Sequence, residues 1–234
     1  MRAPVEGIGG SEPRVSVVIP CLDEAETIGE CVRVARAAAG ERGEVVVADN
    51  GSSDGSAEIA DAAGARVVRE PRRGYGRAYL AGLRTARGEL VVMGDGDLSY
   101  DFAEVPRFVR ELEAGADLVL GNRMASIQPG AMPFLNRYVG NPLTTGLVRA
   151  LFRPGVGDVW CGLRAIRRDA LQRLELRSGG MEFALEMVVR ASQRGMVIRE
   201  LDVELRPRGG ESKLAPFRDG FRGVGFVLAA RARD

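Results

Sequence analysis

In 234 residues the chain has no histidine, one tryptophan and three cysteines, and Lys213 is its only lysine. Each shortage excludes a class of chemistry. Without histidine there is no Ser-His-Asp or Cys-His triad and no His-containing metal site. Cys21, Cys31 and Cys161 are too few and too scattered for a disulfide framework or a zinc site, and read as reduced, buried thiols. No apolar run approaches the ~20 residues of a membrane span. Residues 1–13 lack the apolar centre of a signal peptide and read as a flexible lead-in. Together these shortages predict a cytoplasmic protein that is not integral to a membrane. A formal net charge of +1 gives no support to nucleic-acid binding. Chemistry here must rest on carboxylates, arginines, backbone amides or a metal held by oxygen.

The remainder is ordinary for a globular protein: 45% apolar and 28% charged residues, enough for one large domain with a core. The bias toward arginine is compatible with genome composition. It also suits phosphate, whose oxygens a guanidinium meets two at a time.

Strand and helix signals alternate. Short β-branched runs predict strands over 14–20, 44–50, 65–70, 89–95 and 116–122, and 197–205 alternates like a further strand. Amphipathic periodicity predicts helices over 23–40, 54–64 (Asp54 as N-cap), 76–88, 102–115 (Pro106 in the first turn or at a kink), 142–152, 181–195 and 217–234. Continuous apolar strands separated by helices imply an α/β domain, a mostly parallel sheet covered on both faces. Its ligand is then expected outside the carboxyl ends of the strands. The long irregular stretch 124–141 reads as a functional loop rather than a linker.

The predicted strand ends are "PCLDE", "ADNGSSDG" and "GDGDLSYD". Asp95 and Asp97, with Gly94 and Gly96 beside the first, would either cap a turn or grip a divalent metal; the pair alone does not decide. Three acidic ends on one edge make a site. Gly74-x-Gly76 does not directly follow the first strand, which argues against a dinucleotide fold.

Five segments in order, "VSVVIPCLDEAETI", "VVVADNGSSDGS", "RGYGRAYLAGLRTARGELVVMGDGDLSYD", "LGNRM" and "DVWCGLRAIRRDAL", make the chain resemble family 2 glycosyltransferases of the GT-A fold. It most resembles the dolichol- and polyprenyl-phosphate mannose or glucose synthase branch. The resemblance covers roughly 14–215 as a single Rossmann-like domain, with 216–234 as a C-terminal helix belonging to the domain or touching a membrane surface. It implies an inverting, metal-dependent hexosyl transfer from a nucleotide-diphosphate sugar, UDP favoured over GDP, to a polyprenyl phosphate. Pro20, Asp23 and Glu24 match the first nucleotide-contacting turn. Asp49 matches the residue that pairs with the base, and Asn50 and Gly51 allow close backbone approach beside it. Gly74 and Arg77 cover the donor phosphates. Asp95, Gly96 and Asp97 match the motif that holds Mg²⁺ or Mn²⁺ on the diphosphate. Ser99 stands where many relatives have glutamine.

Arg123, Arg137 and Lys213 match positions that handle phosphate or acceptor, and are expected to converge on one anion pocket. Arg164 is a further acceptor candidate. Pro207 stands where relatives have an arginine before the Ser-Lys pair, which leaves Arg206 or Arg208 to substitute. A phosphate acceptor is already ionised and needs no general base. A soluble hydroxyl acceptor, such as a small natural product, needs one, and Asp158 and Glu182 are the candidates. A third alternative is a non-catalytic nucleotide-binding protein on the same fold. The apolar face Phe217, Phe221, Val224, Phe226, Val227 and Leu228 would lie on a bilayer as a peripheral contact on the membrane's inner face, or pack on the core. Nothing in the sequence sets an oligomeric state.

Overall fold

Three runs of β-branched residues, Val15–Cys21 (β1), Gly43–Asp49 (β2) and Arg66–Arg69 (β3), pair in parallel through Ile28–Ala39 (α1) and Ser56–Ala62 (α2). The structure, a computed structural model, describes residues 12–210 and 216–232, without the side chains of 216–221. Tyr75–Thr85 (α3) leads to Leu90–Met93 (β4), which lies beside β1 in parallel. Val105–Glu113 (α4), with its proline in the first turn, leads to Leu118–Ile127 (β5). Then come Asn141–Phe152 (α5), Arg164–Arg167 (β6), Arg168–Leu174 (α6), Phe183–Gln193 (α7), Ile198–Leu205 (β7) and Pro216–Arg231 (α8).

The strands form one sheet in the order β3-β2-β1-β4-β6-β5-β7. Only β6 is antiparallel to its neighbours. Alternating side chains build two cores. Val17, Ile19, Val45, Val47 and Val92 face α1 and α4, whereas Val18, Val46, Val91, Met93 and Leu120 face α3 and α7. The expected mostly parallel sheet, covered on both faces, is what the chain forms.

Four differences from the sequence reading have local causes. First, α1 begins at Ile28, not at 23. Residues 23–25 are tied to the loop after β2. The Asp23 N–H donates to Ser52 Oγ (2.9 Å) and the Ser53 N–H to Asp23 Oδ1 (2.7 Å). The N–H groups of Glu24 and Ala25 donate to Ser56 Oγ and Asp54 Oδ2. Asp23, at φ 49°, turns the chain there. Second, β6 and α6 were not anticipated. Third, β5 continues to Ile127 with a bulge against β7 between Asn122 and Ser126. Fourth, residues 136–140 form a π turn that runs into α5 rather than an irregular loop.

In α8, Val227 is fully buried and Phe226 packs on the same core as α7, while Leu228 is exposed. The side chains of Phe217 and Phe221 lie outside the described residues.

Candidate active site

The carboxyl ends of β1, β2 and β4 open into a cleft of about 650 Å³. Pro20, Glu24, Asn50, Gly74, Arg77, Asp95, Gly96 and Asp97 all line it. Asp23, Asp49 and Gly51 are not among the lining residues. Asp23 holds the loop after β2, as above. Asp49 is buried, with Oδ1 accepting from the Ser52 N–H (3.1 Å). Asn50 clamps the opposite lip: its Nδ2 donates to the carbonyls of Glu70 and Arg72, and its Oδ1 accepts from the Gly74 N–H at 2.7 Å. That lip carries Arg73 and Arg77 into the cleft. Gly74 has φ 150°, and a β carbon on it would sit 2.3 Å from the Gly179 carbonyl. Only glycine lets α3 start so close to the 178–180 loop.

Asp95 follows β4. Its Oδ1 accepts from both Tyr75 OH (3.0 Å) and Tyr79 OH (3.2 Å), two hydroxyls one helical turn apart on α3. Tyr79 stacks on Phe183, and Tyr75 meets Tyr79 edge-on. Burial, then the charge of Asp97, push the Asp95 carboxyl up to about 6, against the two tyrosine hydrogen bonds. Behind it, a β carbon at Gly162 would lie 2.4 Å from Asp95 Oδ2. Asp97 Oδ1 accepts from the Ser99 N–H (3.0 Å) and Ser99 Oγ (2.5 Å). Ser99 thus orients Asp97.

Among the described residues no group of three or more His, Cys, Asp or Glu is placed to hold a metal. The Asp95–Asp97 pair offers two hard carboxylates whose mutual repulsion a divalent cation would relieve. That fits Mg²⁺ or Mn²⁺ as part of a shell, with phosphate oxygens and water completing it.

Arg123 lines the cleft, and its guanidinium is fixed from behind. Nε and Nη2 donate to Asp158 Oδ2 (2.7 Å) and Oδ1 (2.9 Å). Asp158 is fully buried. Burial works to raise its carboxyl, but Arg123 holds it below the ordinary range. Asp158 therefore positions the arginine and does not face an acceptor, contrary to its candidacy as a base. Arg164 is corrected likewise. It is buried, and it donates to the carbonyls of Cys161, Ala184 and Val159, bracing the 159–164 turn.

Arg206 pairs with Asp101 and Glu204 and is not among the lining residues. Arg208 does line the cleft. Arg137 is also absent from the lining, and its guanidinium stands 5.3 Å from the Tyr138 ring. Lys213 lies outside the described residues. Of the three cations expected to converge, only Arg123 is placed at the cleft. Glu182 lines it too, paired with Arg222 at 3.1 Å.

The sequence reading missed Arg73, Tyr75, Tyr79, Trp160 and Arg222. The i, i+4 spacing of the two tyrosines, on a helix starting at the predicted ligand edge, was the available signal.

Comparison with known proteins gives this geometry its setting. The profile of Glycosyl transferase family 2 matches residues 16–175. The low-salt glycan biosynthesis hexosyltransferase Agl6 of Haloferax volcanii is 41% identical over 221 residues, 92% of this chain and 53% of Agl6, so the chain spans about half the length of that relative. The dolichyl-phosphate hexose transferase of the same organism is 35% identical over 208 residues, 88% of this chain and 89% of the relative. Glucosyl-3-phosphoglycerate synthase of Mycobacterium tuberculosis, solved with Mn²⁺ and UDP, superposes with a TM-score of 0.76 at 23% identity. That superposition covers 99% of this chain and 86% of the synthase. The likeness is one of fold, the GT-A arrangement.

Proposed function

Since the chain belongs to glycosyl transferase family 2, we propose that it transfers a hexosyl unit from a nucleotide-diphosphate sugar, UDP favoured, to a polyprenyl phosphate. The observation that carries this reading is the cleft itself. Two carboxylates, Asp95 and Asp97, face arginines 73, 77 and 123 across a space of about 650 Å³. A Mg²⁺ or Mn²⁺ ion on the carboxylates would neutralise the departing diphosphate. The arginines would hold phosphate oxygens by charge-assisted hydrogen bonds. Arg123, rigid on Asp158, suits an anionic acceptor.

A phosphate oxygen of the acceptor attacks the anomeric carbon as the bond to the donor diphosphate breaks on the opposite side, inverting that centre. No proton needs removing, in keeping with a chain without histidine. The name of the dolichyl-phosphate hexose transferase supports this acceptor class.

A surface feature supports it further. Eight large hydrophobics are exposed among the described residues, and five of them, Phe134, Leu135, Tyr138, Val139 and Leu143, fall within ten positions. Residues 118–157 around them contain no acidic residue and, besides the buried Arg123, three arginines. Apolar side chains amid cations suit an anionic lipid surface. No helix among the described residues is long and apolar enough to cross a membrane.

The second reading, a soluble hydroxyl acceptor, rests on Glu182, a carboxylate that lines the cleft apart from the metal pair. Transfer assays with UDP- and GDP-hexoses, comparing wild type with Glu182→Gln, separate the two. A polyprenyl phosphate acceptor predicts product on the lipid and turnover within about threefold of wild type, because no base is required. Loss of transfer by orders of magnitude in Glu182→Gln, with a hydroxyl compound as acceptor, would establish the second reading instead.

A further inference from the structure

The segment after β7 is strapped to the Asp97 turn. The Arg206 N–H donates to the Ser99 carbonyl (3.0 Å) and the Gly209 N–H to the Asp97 carbonyl (2.8 Å). Between these two bonds Arg208 points into the cleft. Its Nη2 donates to Glu24 Oε1 at 2.9 Å and lies 3.5 Å from Asp97 Oδ2. Its Nε is buried and has no acceptor among the described residues. The guanidinium thus spans carboxylates from two strand ends, β1 and β4, and stands against the oxygen of Asp97 that Ser99 leaves open.

We propose that Arg208 is the resident counter-ion of the metal position, and that it makes the divalent cation and the donor diphosphate bind together rather than singly. The proposal rests on the nucleotide-sugar reading above. A cation approaching Asp97 Oδ2 meets a like charge already placed there, and in a partly buried cleft that repulsion is weakly screened. Withdrawal of the guanidinium would also break its bond to Glu24. A diphosphate supplies anionic oxygens that give the displaced guanidinium a partner. The free cation is therefore held off, while the cation–diphosphate pair is admitted. By linkage the coupling is reciprocal, since whatever the diphosphate adds to metal affinity the metal adds to diphosphate affinity.

The test is Mn²⁺ titration of the full chain, followed by the paramagnetic signal of free Mn²⁺, with and without UDP. Wild type, Arg208→Gln and Arg208→Lys are compared, with circular dichroism confirming the fold. Removing the charge is expected to tighten binding of Mn²⁺ alone by about three- to tenfold, and to shrink the enhancement that UDP produces. Arg208→Lys, which keeps the charge, stays near wild type for Mn²⁺ alone. Arg208→Met keeps the aliphatic stem and gives the same comparison should the glutamine variant be unstable. Wild-type binding enhanced by UDP, with charge-removed variants binding Mn²⁺ alone no tighter, overturns the counter-ion role and leaves the donor reading standing. Absence of Mn²⁺ binding by wild type in either condition overturns both.

Discussion

Tyr75 and Tyr79 direct both their hydroxyl protons to one oxygen of Asp95. Oδ2 is left without a hydrogen bond among the described residues. The carboxylate is therefore held in one orientation, and its second oxygen remains available to a ligand. Tyr79 is buried and Tyr75 half-buried at the cleft wall, and both hydroxyls are pushed well above the ordinary tyrosine range, so they stay protonated as donors; desolvation is the main cause, with the Asp95 charge next. Replacing both tyrosines by phenylalanine keeps the ring packing and removes only the hydrogen bonds. At about 1 kcal/mol per bond, the double variant should bind UDP with Mn²⁺ roughly ten- to thirtyfold more weakly, and each single variant about fivefold more weakly. Calorimetric titration checks this. Unchanged affinity in the double variant would mean that Asp95 needs no orientation or holds no metal.

At the scale of elements, Glu44 ties together the end of the sheet opposite the cleft. Its carboxylate accepts from Ser16 Oγ on β1 (2.6 Å), from Arg66 on β3 (2.7 Å) and from the Arg87 N–H after α3 (2.7 Å). Burial works to raise its pKa, but the bonds from Ser16 and Arg66 outweigh it and bring the carboxyl down to about 2. A depressed carboxylate stabilises the fold above its unfolded value near 4.5, and that contribution is lost as the pH falls through about 2. Arg66 and Arg87 are partly exposed, so screening reduces the gain to about 1–2 kcal/mol. Glu44→Gln should lower the unfolding free energy by that amount at pH 7, with the difference from wild type shrinking toward pH 2. Denaturant unfolding across pH measures it.

The same scale shows why parts of the molecule were legible in sequence and others were not. Apolar runs such as "VVVAD" announced their strands, and the parallel-sheet rule placed their acidic ends on one edge. The four residues of β6, "RAIR", begin and end in arginine and carry no such signal. Their strand state comes from β4 and β5 on either side. Asp158 and Arg164 read as acceptor-site candidates because burial is a tertiary property; only the fold supplies the guanidinium and the carbonyls that make burial tolerable. Asp23 and Glu24 resemble helix-start residues, yet their backbone groups are claimed by a loop some thirty positions away. The tyrosine pair has a helical spacing that speaks equally of core.

For the whole molecule, the exposed apolar segment 134–143 and the cleft are the two features a lipid-linked acceptor would have to join. Wild type should co-sediment with vesicles containing anionic phospholipid, and much less with neutral vesicles. Changing Phe134, Leu135 and Leu143 together to serine removes side chains worth about 1.5–3 kcal/mol each when fully buried. Vesicle binding should then fall by more than tenfold, while UDP binding stays as it was. Vesicle binding that survives the triple change would place the lipid contact elsewhere.

The antiparallel strand β6 has a consequence for how the chain is made. Leu90 of β4 pairs with Arg167, and Leu118 of β5 with Ile166. During synthesis β1 to β4 can assemble as soon as they leave the ribosome. The outer edge of β4 then waits, with open backbone groups, until "RAIR" emerges to seal it and join the two parts of the sheet. An unpaired apolar edge invites other chains. Chains truncated before Arg164 should therefore aggregate, and pausing within the following stretch should be the point at which yield is lost.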